Sequence, residues 1–163
     1  MPEEPSEQEL KKWHRRFAGE ANNRAWGLSE KSELTAGEKS ELLHAAHAAA
    51  HHWSKIGTSA QVAQSDLLLG RVHALLGHGD LAVGFATTAF QSITSSDSAP
   101  WEIAFAHAIL ANAGDASGDS QLHAEHYAQA KAMGESLKDP EDKELFLATF
   151  DLIPAPRSSG GAS

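Results

Sequence analysis

Cysteine is absent from the chain. That absence removes disulfide frameworks, cysteine-ligated zinc and thiol nucleophiles, so any bound metal would have to draw on histidine and carboxylate ligands. It also fits a reducing compartment, and a cytoplasmic location is the expectation. Long apolar runs are missing as well. Each strongly hydrophobic stretch is interrupted by His, Gly or Thr, well short of the roughly 20 residues a membrane-spanning helix needs. Residues 1–9 are acidic and proline-bearing, without the basic and then apolar regions of a secretory signal.

Cations are scarce through the middle of the chain. Arg71 is the only Lys or Arg in residues 56–130, a stretch that also holds Asp66, Asp80, Asp97, Glu102, Asp115, Asp119 and Glu125. With a net charge of −9, such a surface would set carboxylates against phosphates, so neither nucleic acid nor a membrane is expected as a partner. The one basic cluster is Lys11, Lys12, Arg15 and Arg16, which reads as the solvated face of an amphipathic helix.

What is present is helical periodicity. Leu10, Trp13 and Phe17 recur at i, i+3 and i+7, which predicts a helix from Ser6 to about Trp26, ended by Gly27. Thr35 and Glu38 form a capping box that opens a second, alanine-rich helix running to about Lys55. A third, from about Ser59 to Leu76, is apolar around most of its girth and belongs in the interior. Asp80 is placed to cap a fourth, Pro100 to start a fifth, and the turn after Gly114 to precede a sixth that ends near Ser136. Asp139-Pro140 opens a seventh. The expected division is an N-terminal helix and linker over 1–34, a helical domain over 35–153 and a disordered tail over 154–163.

An internal echo at an offset of 34 places Leu69 on Ile103, Gly70 on Ala104, His73 on His107, Ala74 on Ala108 and Leu76 on Leu110. The turn Gly77-His78-Gly79-Asp80 falls against Ala111 to Asp115, with one residue inserted. Thirty-four residues per helix-turn-helix unit is the tetratricopeptide spacing. With Leu69-Gly70, His73, Gly77, Ala82 and Ala89 at the positions of the family pattern, the chain resembles a degenerate tetratricopeptide repeat (TPR) protein. His73 and His107 stand where the family carries an aromatic ring. The resemblance covers about Thr35 to Ser136 and implies an all-α, right-handed superhelix of about seven stacked helices, with a groove for a protein or peptide lined by the first helix of each pair. The alternative fold for the same helices is a compact antiparallel bundle. A weaker echo pairs Ala45 with Ala82, Trp53 with Phe90 and Ile56 with Ile93, which makes the N-terminal helix the partner of the second one.

Gln64, Asp66, Arg71, Trp101 and Glu102 are the expected exposed groove residues, and their acidic balance favours a basic segment as ligand. A scaffolding module without chemistry of its own follows from this reading. The competing reading starts from the ten histidines. His44, His47 and His51 share one face of the second helix, and His123 and His126 share one face of the sixth. If those helices faced each other, their imidazoles would suit zinc or another divalent transition metal, in a metalloprotein with or without catalysis. Against it, no His-Glu-x-x-His pattern occurs, and neither a Gly-x-Ser-x-Gly elbow nor a Gly-x-x-x-x-Gly-Lys loop is present. His73 and His107 are expected to pack between helices with a ring nitrogen bonded, and the four tryptophans to be mostly buried. A homodimer formed through the N-terminal helix is a third reading.

Overall fold

The protein, seen in a computed structural model that describes Met1 and residues 3–158, consists of helices and connecting turns, with no strand among the described residues. In chain order they are α1 (Glu7–Ser29), α2 (Ala36–Ile56), α3 (Ser59–Leu75), α4 (Gly79–Thr94), α5 (Pro100–Ser117), α6 (Ser120–Ser136) and α7 (Pro140–Phe150). Among the described residues no helix is long and apolar enough to cross a membrane.

Local chemistry sets the helix starts. Ser6 with Glu9, Thr35 with Glu38 and Thr58 with Gln61 each form a reciprocal capping box, satisfying backbone N–H groups that the first turn leaves unpaired. Pro100 begins α5 and Pro140 begins α7 at first-turn positions where no N–H is needed. The C-terminal ends of α3 and α5 are turned by Gly77 (φ 77°) and Gly118 (φ 76°), the left-handed conformation that glycine adopts without a steric penalty.

Three boundaries differ from expectation. Gly27 does not end α1, which continues to Ser29 because Leu28 is buried and offsets the roughly 1 kcal/mol that a helical glycine costs. Asp80 sits in the first turn of α4 and not at its cap, which is His78. The turn expected at residues 111–115 is helix: Ala111, Asn112, Ala113 and Gly114 are all buried, and α5 runs on to Ser117. α3 and α5 are nearly equal in length, 17 and 18 residues, and the counterpart of the Gly77 turn is Gly118, so the two pairs are related by an offset of 41 residues and not by the 34 of the echo.

The helices pack as successive antiparallel pairs. α3 touches both helices of the preceding pair, α1 and α2, its own partner α4, and the next first helix, α5. α5 repeats that arrangement one pair later, against α3, α4, α6 and α7. The first helices therefore form a continuous inner row, while α2, α4 and α6 lie outside it, α4 meeting α2 through Phe85 and His47 and meeting α6 through Phe90 and His126. Residues 70 and 104 thus sit on helices in corresponding places but at different depths, Gly70 twelfth in α3 and Ala104 fifth in α5. Gly70 lies where α3, α4 and α5 meet, and a Cβ there would come within 3.1 Å of Ile109 and 3.2 Å of Ala86. α1 is part of this body from Ala18 onward, with Ala25 and Leu28 in one core cluster with Leu42, Ala46, Leu68 and Val72.

The segment expected as a tail is held at its start. Ile153 is buried and the carbonyl of Pro154 accepts a 2.7 Å hydrogen bond from His123 Nε2. Residues 159–163 of that tail lie outside the described residues.

Two glycines separate close packing from helix propensity. A Cβ on Gly114 would stand 2.6 Å from the backbone nitrogen of His123, where α5 and α6 meet main chain to main chain, whereas Gly84 faces open space on α4. Gly114→Ala is expected to lower stability by about 1–3 kcal/mol, and Gly84→Ala to raise it by up to about 1 kcal/mol. Urea unfolding of both variants checks the signs.

Candidate functional site

The inner row carries one cleft to which all four of its helices contribute. α1 supplies Asn22, Trp26 and Glu30, and α3 supplies Gln64. Trp101 and Phe105 come from α5, Leu145 and Thr149 from α7. Its volume is about 320 Å³, enough for one bulky side chain. The positions follow from the fold: Trp26 is the last aromatic of α1, and its ring meets Phe105 at 5.4 Å between centroids, across the top of α3. Trp101 sits in the first turn of α5, where Pro100 and the Glu102 carboxylate, accepting from the Ala99 N–H at 2.8 Å, fix the helix start.

Of the five groove residues expected from sequence, Gln64 and Trp101 line this cleft. Glu102 adjoins it, accepting a 3.3 Å hydrogen bond from the Gln64 amide. Asp66 is half-buried, and burial raises its carboxyl above the usual aspartate range. Arg71 is a correction, because it is only 2% exposed. Its guanidinium donates to Asn112 Oδ1 at 2.7 Å and to the Ser29 carbonyl at 3.3 Å, tying α3 to α5 and to the end of α1. Burial lowers it to about 10, with Glu30 opposing, so it remains a cation at neutral pH. Sequence reasoning placed it outside because a lone arginine in an acidic stretch is ordinarily solvated. Nothing in the sequence marked Asn112 as its partner.

The histidines do not meet as the metal reading required. α2 and α6 are not in contact, so the set from His44, His47, His51, His123 and His126 is divided among different neighbours. His44 is exposed. His47 Nε2 lies 3.0 Å from His73 Nε2, and His73 Nδ1 lies 3.0 Å from His78 Nδ1. His51 sits beside His52, whose Nδ1 is 2.8 Å from His14 Nδ1. His126 Nδ1 is 2.8 Å from His107 Nδ1, and His123 lies between Pro154 and Asp115. These spacings are those of hydrogen bonds. Among the described residues no three His, Asp or Glu side chains are grouped to hold a metal ion.

His73 and His107 pack between helices. His73 stacks on Phe85 at 5.5 Å and His107 meets Phe90 edge-on at 4.8 Å, so both rest on aromatic rings of α4, one from each side of it in chain order. Each pair holds together when one neutral ring donates its N–H to the bare nitrogen of the other. A pair in which both rings are doubly protonated has no acceptor left. Burial, followed by the neighbouring histidines, lowers His73, His52 and His107, the last to about 4. Burial also lowers His126, against the pull of Glu125.

No family profile, curated protein or solved structure matches the chain.

Two stability outcomes follow from this geometry. Asn112→Ala leaves the buried guanidinium without its shortest bond, and a loss of about 2–3 kcal/mol is expected in urea unfolding. For His107, the unfolded imidazole binds its proton near 6.5 and the folded one only near 4. Between those values the unfolded state carries more protons, so stability present in full above pH 6.5 is lost as the pH falls toward 4. Unfolding free energies measured across that window should decline less steeply in His107→Phe than in the wild type. Parallel curves would show that His107 does not contribute.

Proposed function

We propose that the inner face is a binding cleft for a protein or peptide segment, and that the chain is a scaffolding module of TPR-like build with no reaction of its own. The observation that carries the reading is the shared cleft: α1, α3, α5 and α7 each present side chains to it, as a groove between stacked first helices demands. Its walls are aromatic, from Trp26, Trp101 and Phe105, with amides from Asn22 and Gln64 for orientation. A few polar groups on an apolar wall are what recognition of a bulky side chain requires.

The charge around it selects the ligand. Glu30 lies on the lining and Glu102 beside it, while no lysine or arginine lines the cleft. Glu141 and Asp142 continue the Leu145 face of α7 by one turn. The partner is therefore a basic segment carrying a large apolar or aromatic residue, with the cation over an aromatic face or against a carboxylate.

Amphipathic peptides containing lysine, arginine and tryptophan, titrated into the full chain and followed by fluorescence anisotropy, test this. Binding is expected to weaken with added salt, and by about tenfold or more in Trp101→Ala, the size of a central aromatic contact. Affinity that is indifferent to Trp101 and to salt would remove the reading.

A further inference from the structure

The strongest unassigned feature outside the cleft is the first half of α1. Leu10, Trp13 and Phe17 are 44%, 52% and 41% exposed, and they form one stripe at i, i+3 and i+7. Trp13 stacks on Phe17 at 5.7 Å, making the aromatic surface continuous. Only from Ala18 onward does α1 bury residues against the body. The same half-helix holds the chain's basic cluster. Lys11 and Arg16 reach only to Glu7 and Glu20 in exposed i, i+4 pairs, contacts that contribute little. Lys12 and Arg15 have no carboxylate partner among the described residues.

We propose that the segment bound in the cleft is the N-terminal half of α1 from a second copy of this chain, with Trp13 entering between Trp26 and Trp101. The inference rests on the inner face being a binding cleft and names its occupant. Complementarity carries it. The exposed stripe joins an aromatic residue to lysines and arginines, and the cleft joins aromatic walls to Glu30 and Glu102. With a net charge of −9 and no other basic cluster, the chain offers this cleft no second match of its own.

The geometry also determines how the copies join. Trp13 and the cleft residue Trp26 belong to one continuous helix, and 13 residues of helix separate them by about 20 Å, so α1 cannot fold back into its own cleft. Two α1 stripes pairing antiparallel about Trp13 and His14 would set Lys12 of one copy against Arg15 of the other, and like charges oppose that arrangement. Docking is therefore head to tail, with different surfaces used on the two copies. Such an interface propagates into a ring or a filament.

Light scattering and sedimentation of the full chain test the proposal. The wild type is expected to gain mass with concentration and lose it with salt. Trp13→Ala lacks the donor surface, and Trp101→Ala lacks the acceptor; each alone should remain a monomer, with self-association at least about tenfold weaker. Mixed together they should form a 1:1 complex that stops at the dimer, because only one competent interface remains. Leu145→Lys, at an exposed cleft position, serves as a second acceptor variant should Trp101→Ala prove unstable.

A wild type that stays monomeric at all concentrations overturns the proposal. So does a dimer that survives both acceptor variants, which would mean that α1 pairs with α1, and so does Trp13-dependent capture of phosphatidylserine vesicles by a monomeric chain. Where the monomer still takes up basic peptides through Trp101, self-docking fails and the cleft reading stands.

Discussion

Close approach between helices at small side chains is the constraint on which the arrangement depends. α3 and α5 have almost no polar face: each is buried along most of its length, and each has neighbours on four sides. Such helices need partners near enough to exclude water all round, and bulky residues at the crossings would hold them apart. Gly70 against Ala86 and Ile109, and Gly114 against the backbone of α6, set that distance. Once it is set, the first helices line up in a row, and the row brings side chains from residues 22 to 149 into one cleft.

Burying polar groups along the row has a cost, and the protein meets it with specific pairs. Arg71 is enclosed as a cation, with an amide oxygen and a helix-end carbonyl in place of a carboxylate. Those two acceptors lie on α5 and α1, so the bonds to the guanidinium also fasten three helices of the inner row, while its buried Nε has no partner. The histidines solve a related problem. At positions 73 and 107 an imidazole ring fills space against α4 while adding nitrogens that must be bonded. A second histidine answers each time, His47 and His78 for His73 and His126 for His107. The stack is thereby coupled to pH, because each contact needs a bare nitrogen on at least one of its two rings.

α1 serves two ends of one recognition problem. Its second half is a wall of the cleft, through Trp26 and Glu30, and its first half extends beyond the core with aromatic and basic residues uncovered. A rigid helix keeps the two apart within a molecule, while leaving them available to each other between molecules. The capping box at Ser6 and the exposed Glu7–Lys11 pair keep the first half helical without a partner. The surface is thus organised before any docking takes place, which lowers the ordering cost of association.

Most of the fold was legible along the chain. Helix starts at Thr35, Pro100 and Asp139 are local chemistry, and the buried character of α3 and α5 follows from their composition. The 34-residue echo did not give the register of the pairs, because the helix starts Ser59 and Pro100 and the turn glycines Gly77 and Gly118 are each 41 residues apart. Of the residues lining the cleft only Gln64 and Trp101 could be named, with Glu102 beside them. Asn22, Trp26, Leu145 and Thr149 could not, as they come from helices flanking the echo. The sequence by itself determined where helices form and which of them lie inside, because caps, turns and periodicity act over a few residues. Only the tertiary structure decided that Arg71 is enclosed, that α2 and α6 stay apart and which histidines meet. Those outcomes depend on distances between helices far apart in sequence, and no local pattern encodes them.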